Sequence, residues 1–254
     1  QFAVQGQDIY ILEVNPRASR TVPFVAKATG IAIAKIAARV MAGASLDAFQ
    51  EDLRRLPNWT AENFDRIAIK EAVFPFNRFP GVDIMLGPEM RSTGEVMGLA
   101  HDFDTAFAKA QLAANVTLPK AGNVFVSVKD SDKAEMARVA KHFLAMGFAI
   151  IATDGTQKFL ENQSVACVRV NKVMEGNNLG QPHIVDRILN DEIALVCNTT
   201  EGQQAIIDSR PIRQATLRKS VPYYTTMAGI SAAVWAIDVL RKHSLKVAAL
   251  QDYC

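Results

Sequence analysis

Apolar and polar positions fall into two regimes that meet near residues 119–122. Beyond that point, five short apolar runs, at 124–127, 148–153, 165–172, 193–200 and 221–226, each end in small hydroxyl, amide or lysine residues. Between the runs lie stretches of helical periodicity, at 131–146, 156–161, 183–190 and through Ile206, with a last helix near 229–242. Strands alternating with helices at this spacing predict a parallel α/β sheet. Ligands of such sheets sit just outside the carboxyl ends of the strands. Five polar strand ends therefore predict one pocket, and its OH, NH and ammonium donors predict an anion.

The first half is less regular. Residues 8–14 alternate like a strand, and 23–42 read as helical segments interrupted at Gly30, with Lys27, Lys35 and Arg39 on the outer face. Pro57 and Asn58 mark a break, and 66–74 reads as a second strand. The stretch 75–98, punctuated by Pro75, Pro80, Gly81, Gly87, Pro88, Gly94 and Gly98, reads as loop. An Ala-rich helix is expected over 104–114, and Pro119 to Gly122 is the best domain boundary.

Composition narrows the function. The 254 residues are 49% hydrophobic and 21% charged, with net charge +2, an ordinary globular balance. Near-neutrality gives no field suited to nucleic acid or an anionic membrane, so neither is expected as a partner. The longest apolar run, 227–237, is too short to span a bilayer. Cys167, Cys197 and Cys254 have no paired spacing, which argues against zinc and fits a reducing compartment, hence the cytoplasm. The chain begins at Gln1 without a basic-then-apolar leader and runs almost at once into a strand, as if cut from inside a domain.

Residues two apart on a strand share a face, so Glu13 and Asn15 should project together while Leu12 and Val14 point into a core. A carboxylate beside an amide oxygen is a donor set that Mg²⁺ or Mn²⁺ accepts. Arg17 and Arg20 follow, and guanidinium groups grip phosphate bidentately. The alternative is a surface strand edge with solvated arginines.

The longer words are more specific. The run from Glu13 to Gly30, EVNPRASRTVPFVAKATG, resembles the end of the second ATP-grasp domain of the carbamoyl-phosphate synthase large chain family. So do FNRFPGVD, from Phe76, and LGPEMRSTGEVMG, from Leu86 to Gly98, and the resemblance continues to the C-terminus. It implies a partial ATP-grasp domain over 1–116 and a methylglyoxal-synthase-like, Rossmann-like regulatory domain over 117–254. It also implies that Gln1, Glu13 and Asn15 are metal ligands beside the ATP phosphates, with Arg17 and Arg20 on the phosphate side. The remaining ATP-grasp residues belong upstream of this sequence, so the chain alone is not expected to make carbamoyl phosphate.

In the second half, the strand ends can be read on their own chemistry. Thr153-Asp154-Gly155-Thr156 opens a helix where free N–H groups favour phosphate, and Gly155 permits close approach. Ser127, Lys133, Lys172, Asn198 and Thr200 stand at neighbouring strand ends or first helical turns. Each has a plain alternative: Thr153, Thr200 and Ser131 as N-caps, Lys133 and Lys172 as solvated charges. The resemblance implies that Ser127, Lys133, Thr153, Thr156, Lys172, Asn198 and Thr200 form a nucleoside monophosphate pocket for UMP or IMP, with Asp208 a further contact. It further implies ornithine at Glu71 and Thr225, although Tyr224 stands where the family's Asp-Thr-Thr pattern has aspartate. The loop 175–182 is longer than the common bacterial form.

The expected function is thus the regulatory end of a glutamine-dependent ligase of arginine and pyrimidine biosynthesis, an oligomer when intact, served by a glutaminase small subunit. The alternatives are a methylglyoxal-synthase-like phosphate-binding lyase and an oligomerisation role for the Ala-rich helices. The lyase lacks its Gly-Gly-Asp word, which is replaced by Asn171 to Gly176. The four histidines form no ligand spacing, and His183 is assigned to capping a helix near Asp186.

Overall fold

A computed structural model describes residues 2–15, 19–54, 66–74, 76, 92, 94–171 and 182–252. The described chain divides into two compact units, Gln1–Asp65 with Lys246–Cys254, and Arg66–Leu245.

In the first unit, β1 (Phe2–Gln5) and β2 (Asp8–Ile11) form an antiparallel hairpin around Gly6, whose φ of 61° suits a tight turn. Helix α1 (Thr21–Thr29) ends at Gly30 in the left-handed conformation, with the Gly30 N–H bonded to the Ala26 carbonyl. After this glycine C-cap the chain restarts as α2 (Ile33–Met41), followed by a 3₁₀ turn and the short α3 (Gln50–Leu53). Strand β2 stops earlier than the alternation predicted. Leu12 and Val14 are 59% and 81% exposed, so they do not enter a core in this structure.

The second unit opens with an antiparallel pair, β3 (Ile67–Val73) and β4 (Gly94–Ala100), on which α4 (Phe103–Ala113) packs. Asp102 caps α4 by accepting from the Thr105 N–H at 2.7 Å. Strand β4 replaces part of the predicted loop. Its Gly98 faces α4 so closely that a Cβ would lie 2.6 Å from the Ala110 nitrogen and would also strike the Ala106 carbonyl oxygen.

The main sheet has five strands, β5 (Asn123–Ser127), β6 (Ala149–Thr153), β7 (Val168–Val170), β8 (Ile193–Asn198) and β9 (Tyr223–Tyr224). They pair in the order β7-β6-β5-β8-β9, all parallel. The connecting helices are α5 (Lys133–Ala145), α6 (Asp154–Asn162), α7 (Ile184–Leu189), α8 (Gln203–Asp208), α9 (Arg210–Lys219) and α10 (Met227–Lys242). Alternation along the strands sorts side chains onto two faces. Val124, Val126, Ile150, Ala152, Leu195 and Cys197 meet α5 and α10, while Phe125, Ile151, Val196 and Val170 meet α7 and α9. Burying each of the Val, Ile, Leu and Phe side chains among them stabilises the fold by ~1.5–3 kcal/mol. The result is an α/β fold with a helical layer on each face of a parallel sheet, which fixes its carboxyl edge as one surface.

The predicted boundary at 116/117 falls inside the second compact unit, because α4 packs against α10 as well as against β3 and β4. Among the described residues no single helix is long and apolar enough to cross a membrane.

Candidate functional site

Three strand ends meet through their hydroxyls. Thr153 Oγ1, at the end of β6, lies 3.1 Å from Ser127 Oγ, at the end of β5, and donates to it. Thr156 Oγ1, in the first turn of α6, accepts from the Val128 N–H at 3.3 Å. Thr199 Oγ1, just past β8, accepts from the Lys129 N–H at 3.1 Å, and its own N–H donates to the Ser127 carbonyl. Thr153, Thr156 and Thr199 are 3–5% exposed. The Thr153–Ser127 bond uses one hydroxyl proton of the pair and leaves one to give, and Thr156, which accepts from the backbone, keeps its own. Donors preset in this way suit an anion.

Thr153 occupies the N-cap position of α6, yet its hydroxyl makes no cap bond. Capping therefore does not account for it. The same holds for Thr200, since Gly202 is the N-cap of α8, and for Ser131, since Asp132 precedes α5. His183 does cap: its Nδ1 accepts from the Asp186 N–H at 3.2 Å while Asp186 accepts from the His183 N–H at 3.1 Å.

The charges around the turn are arranged in pairs. Lys133 Nζ sits 2.6 Å from Asp130 Oδ1 and 3.7 Å from where a Gly155 Cβ would lie, so the ammonium borders the β6–α6 turn. A hydrogen bond from Lys133 holds the Asp130 carboxyl below its ordinary range, with the lysine's charge adding to it. Asp154, within the turn, pairs with Lys158 at 2.8 Å and Arg169 at 3.1 Å. Its carboxyl is lowered chiefly by the Lys158 hydrogen bond, and the two cations offset its repulsion of a nearby anion.

Asn198 is 3% exposed and faces Ser127 in the β5–β8 register. Its Nδ2 donates to the Tyr223 hydroxyl at 2.7 Å. Thr200 follows two residues later, half-buried. The structure thus brings Ser127, Lys133, Thr153, Thr156 and Asn198 to one sheet edge. Lys172 lies outside the described residues, as does most of the long loop 175–182. Asp208 ends α8 and accepts from Gln204 at 2.8 Å. The sequence reading left out Thr199 and Tyr223 as site residues. Thr199 carried a signal, as the middle of an Asn-Thr-Thr strand end.

Apart from this edge, a cavity of about 580 Å³ opens in the same unit. Glu71, Gln111, Phe74, Thr216, Tyr223 and Tyr224 are among its walls. The Tyr224 hydroxyl donates to Gln111 Oε1 at 2.9 Å. Burial raises the Glu71 carboxyl above its ordinary value of 4.5, opposed by a hydrogen bond with Gln111. Burial also raises the Tyr224 phenol, so it stays protonated and able to donate. Thr225 is exposed and lies outside that lining.

In the first unit, Asn15 Nδ2 lies 3.0 Å from Glu13 Oε1, so the two side chains do project together although they lie past the end of β2. The carboxylate and the amide oxygen would suit Mg²⁺ or Mn²⁺, with the amide turned to present its oxygen. Among the described residues no group of three or more His, Cys, Asp or Glu could hold a metal ion. Arg20 precedes α1, while Gln1 and Arg17 lie outside the described residues.

Comparison with known proteins adds two domain matches and a set of long relatives. Residues 135–225 match the MGS-like domain, and residues 1–49 match the ATP-binding domain of the carbamoyl-phosphate synthase L chain. The chain is 56% identical over 253 residues to the carbamoyl phosphate synthase large chain of Brucella suis, covering 100% of this chain and 21% of that protein. For the large chain of Myxococcus xanthus the identity is 53% over 100% of this chain and 22% of the relative, and for Synechocystis it is 48% with the same coverage. The chain therefore spans about a fifth of the length of the curated relatives it matches.

Proposed function

We propose, from this similarity along its whole length, that the chain is the C-terminal part of a carbamoyl phosphate synthase large chain, and that its parallel α/β sheet carries a nucleoside monophosphate effector site. The observation that carries the second statement is the meeting of Ser127, Thr153 and Thr156 hydroxyls with the Lys133 ammonium at one strand edge. Two hydroxyl protons and a cation face the mouth of a helix, where phosphate is favoured. Asn198 and Thr200 stand on the neighbouring strand end, placed to meet a ribose or base. Lys172 supplies further countercharge in this reading. UMP and IMP are the effectors it names.

Residues 1–116 act as the tail of the ATP-binding domain and 117–254 as the effector domain. Glu13 and Asn15, with Gln1, would hold Mg²⁺ or Mn²⁺, which would supply positive charge to the ATP phosphates, and Arg17 and Arg20 would add theirs. The intact protein is an ATP-dependent cytoplasmic ligase supplying arginine and pyrimidine biosynthesis, with ammonia from a glutaminase subunit, and it is oligomeric. Effector binding shifts its catalytic domains by a coupling of ~1–3 kcal/mol. Glu71 offers a carboxylate to an ammonium group such as that of ornithine. With Tyr224 donating to Gln111 in place of a second carboxylate, the response to ornithine is weak.

Calorimetric titration of the chain with UMP and IMP tests the effector reading. Lys172→Ala should weaken binding by ~1.5–3 kcal/mol, the range for a charge-assisted contact. Unchanged affinity in the variant, or no binding by the wild type, counts against it. Turnover of dihydroxyacetone phosphate would favour a lyase instead.

A further inference from the structure

The hydrogen bond between Asn198 and Tyr223 joins two places that the sequence keeps 25 residues apart. Asn198 is one of the strand-end residues of the effector site, and Tyr223 is on β9, the edge strand beside β8. The pairing of Val196 with Tyr223 and Cys197 with Tyr224 fixes β9 along β8, so the phenol reaches the end of its neighbour. Asn198 is 3% exposed, and a buried amide without partners would be free to turn either its oxygen or its nitrogen outward. Tyr223 ties down one end of that amide. Its oxygen accepts from Nδ2 at 2.7 Å, which leaves the amide carbonyl as the group that can meet a ligand.

We infer that Tyr223 is a positioning residue for the effector site: it orients the Asn198 amide so that the site presents a hydrogen-bond acceptor to the nucleoside part of its ligand. This rests on the effector reading above. It adds a chemical requirement to it, since the ligand must offer a hydroxyl or an N–H at that point, as a ribose or a base imide does. Tyr223 is also a wall of the 580 Å³ cavity, so the residue that bonds Asn198 lines that cavity as well.

The test is a double-mutant cycle on the full chain, read by calorimetric titration with UMP. Tyr223→Phe keeps the ring and removes only the oxygen. It should weaken UMP binding by about three- to tenfold, the fold-change for one neutral hydrogen bond. In an Asn198→Ala background the same change should have less than about a twofold effect, because the group it acts through is gone. A merely structural role for Tyr223 would lower affinity equally in both backgrounds, and that result overturns the inference. So does unchanged affinity in Tyr223→Phe while the wild type binds. Failure of the wild type to bind UMP overturns the effector reading and this inference with it, so the two failures are distinguishable.

Discussion

Thr156→Val isolates one atom of the site. The substitution keeps the shape of a residue 3% exposed and removes only the hydroxyl that accepts from the Val128 N–H. Val128 is itself buried, at 7% exposure, so its N–H is left without that partner. Leaving a buried donor unsatisfied costs about 1–3 kcal/mol. The bond is 3.3 Å long, beyond the usual N–H···O range, which places the cost near the lower end, at about 1–1.5 kcal/mol. Thr156→Ser keeps the oxygen and loses a methyl, a loss of about 1 kcal/mol for a buried carbon. Urea denaturation should therefore find the two variants similarly destabilised, with unchanged m-values.

Effector binding should separate them. In the proton count above, Thr156 accepts from the backbone and keeps its own proton for a ligand. The valine has nothing to give, so UMP binding should fall by about 1.5–3 kcal/mol, roughly ten- to 150-fold, if the bond is to a phosphate oxygen. The serine retains the donor and should bind within about threefold of the wild type. Equal binding losses in the two variants, or wild-type affinity in the valine variant, would show that the hydroxyl serves only Val128 and would remove Thr156 from the site.

Gly98→Ala should destabilise the second unit by about 3 kcal/mol or more, because the new carbon strikes backbone atoms of α4. Ala110→Gly in that background should not rescue it, since trimming a side chain does not move the Ala106 oxygen or the Ala110 nitrogen, and rescue in urea melts would refute the packing account. The Glu71 carboxyl is raised, so from 4.5 up to its folded value the native state holds more protons than the unfolded one, and stability falls as pH rises through that window. Glu71→Gln should flatten this fall in urea midpoints taken between about pH 4 and about pH 7, and an unchanged slope would refute it. Cys197 is fully buried with its thiol raised by desolvation, so in a Cys254→Ser background a disulfide reagent should label it only as fast as the protein unfolds. Cys167 is half-buried and less shielded, and should react slowly in the folded state.

What the sequence disclosed depended on whether the deciding contacts were local. The strands β5, β6 and β8 and the polar residues ending them were legible because apolar runs of four to six residues bounded by helical periodicity leave little choice of element. The interruption at Gly30 was legible for the same reason, as a left-handed residue between two helical stretches. Strand β4 was not. Gly94 and Gly98 read as loop punctuation, but Gly98 is glycine because α4 passes against it, a fact carried by Ala106 and Ala110. The break between α8 and α9 was missed too, where Ser209 receives the buried Arg213 guanidinium and Pro211 lies at the start of the new helix. Leu12 and Val14 fitted a half-buried strand by alternation, yet alternation alone does not say whether a partner layer is present. The site divides along the same line. Hydroxyls at strand ends can be seen in a sequence, but the atom each one bonds cannot. That Thr153 turns to Ser127 and not to its own helix, and that Tyr223 reaches Asn198, are consequences of strand order, with β6 beside β5 and β9 beside β8. Strand order is a long-range property of the sheet, so the chemistry of this edge becomes readable only once the strands are laid side by side.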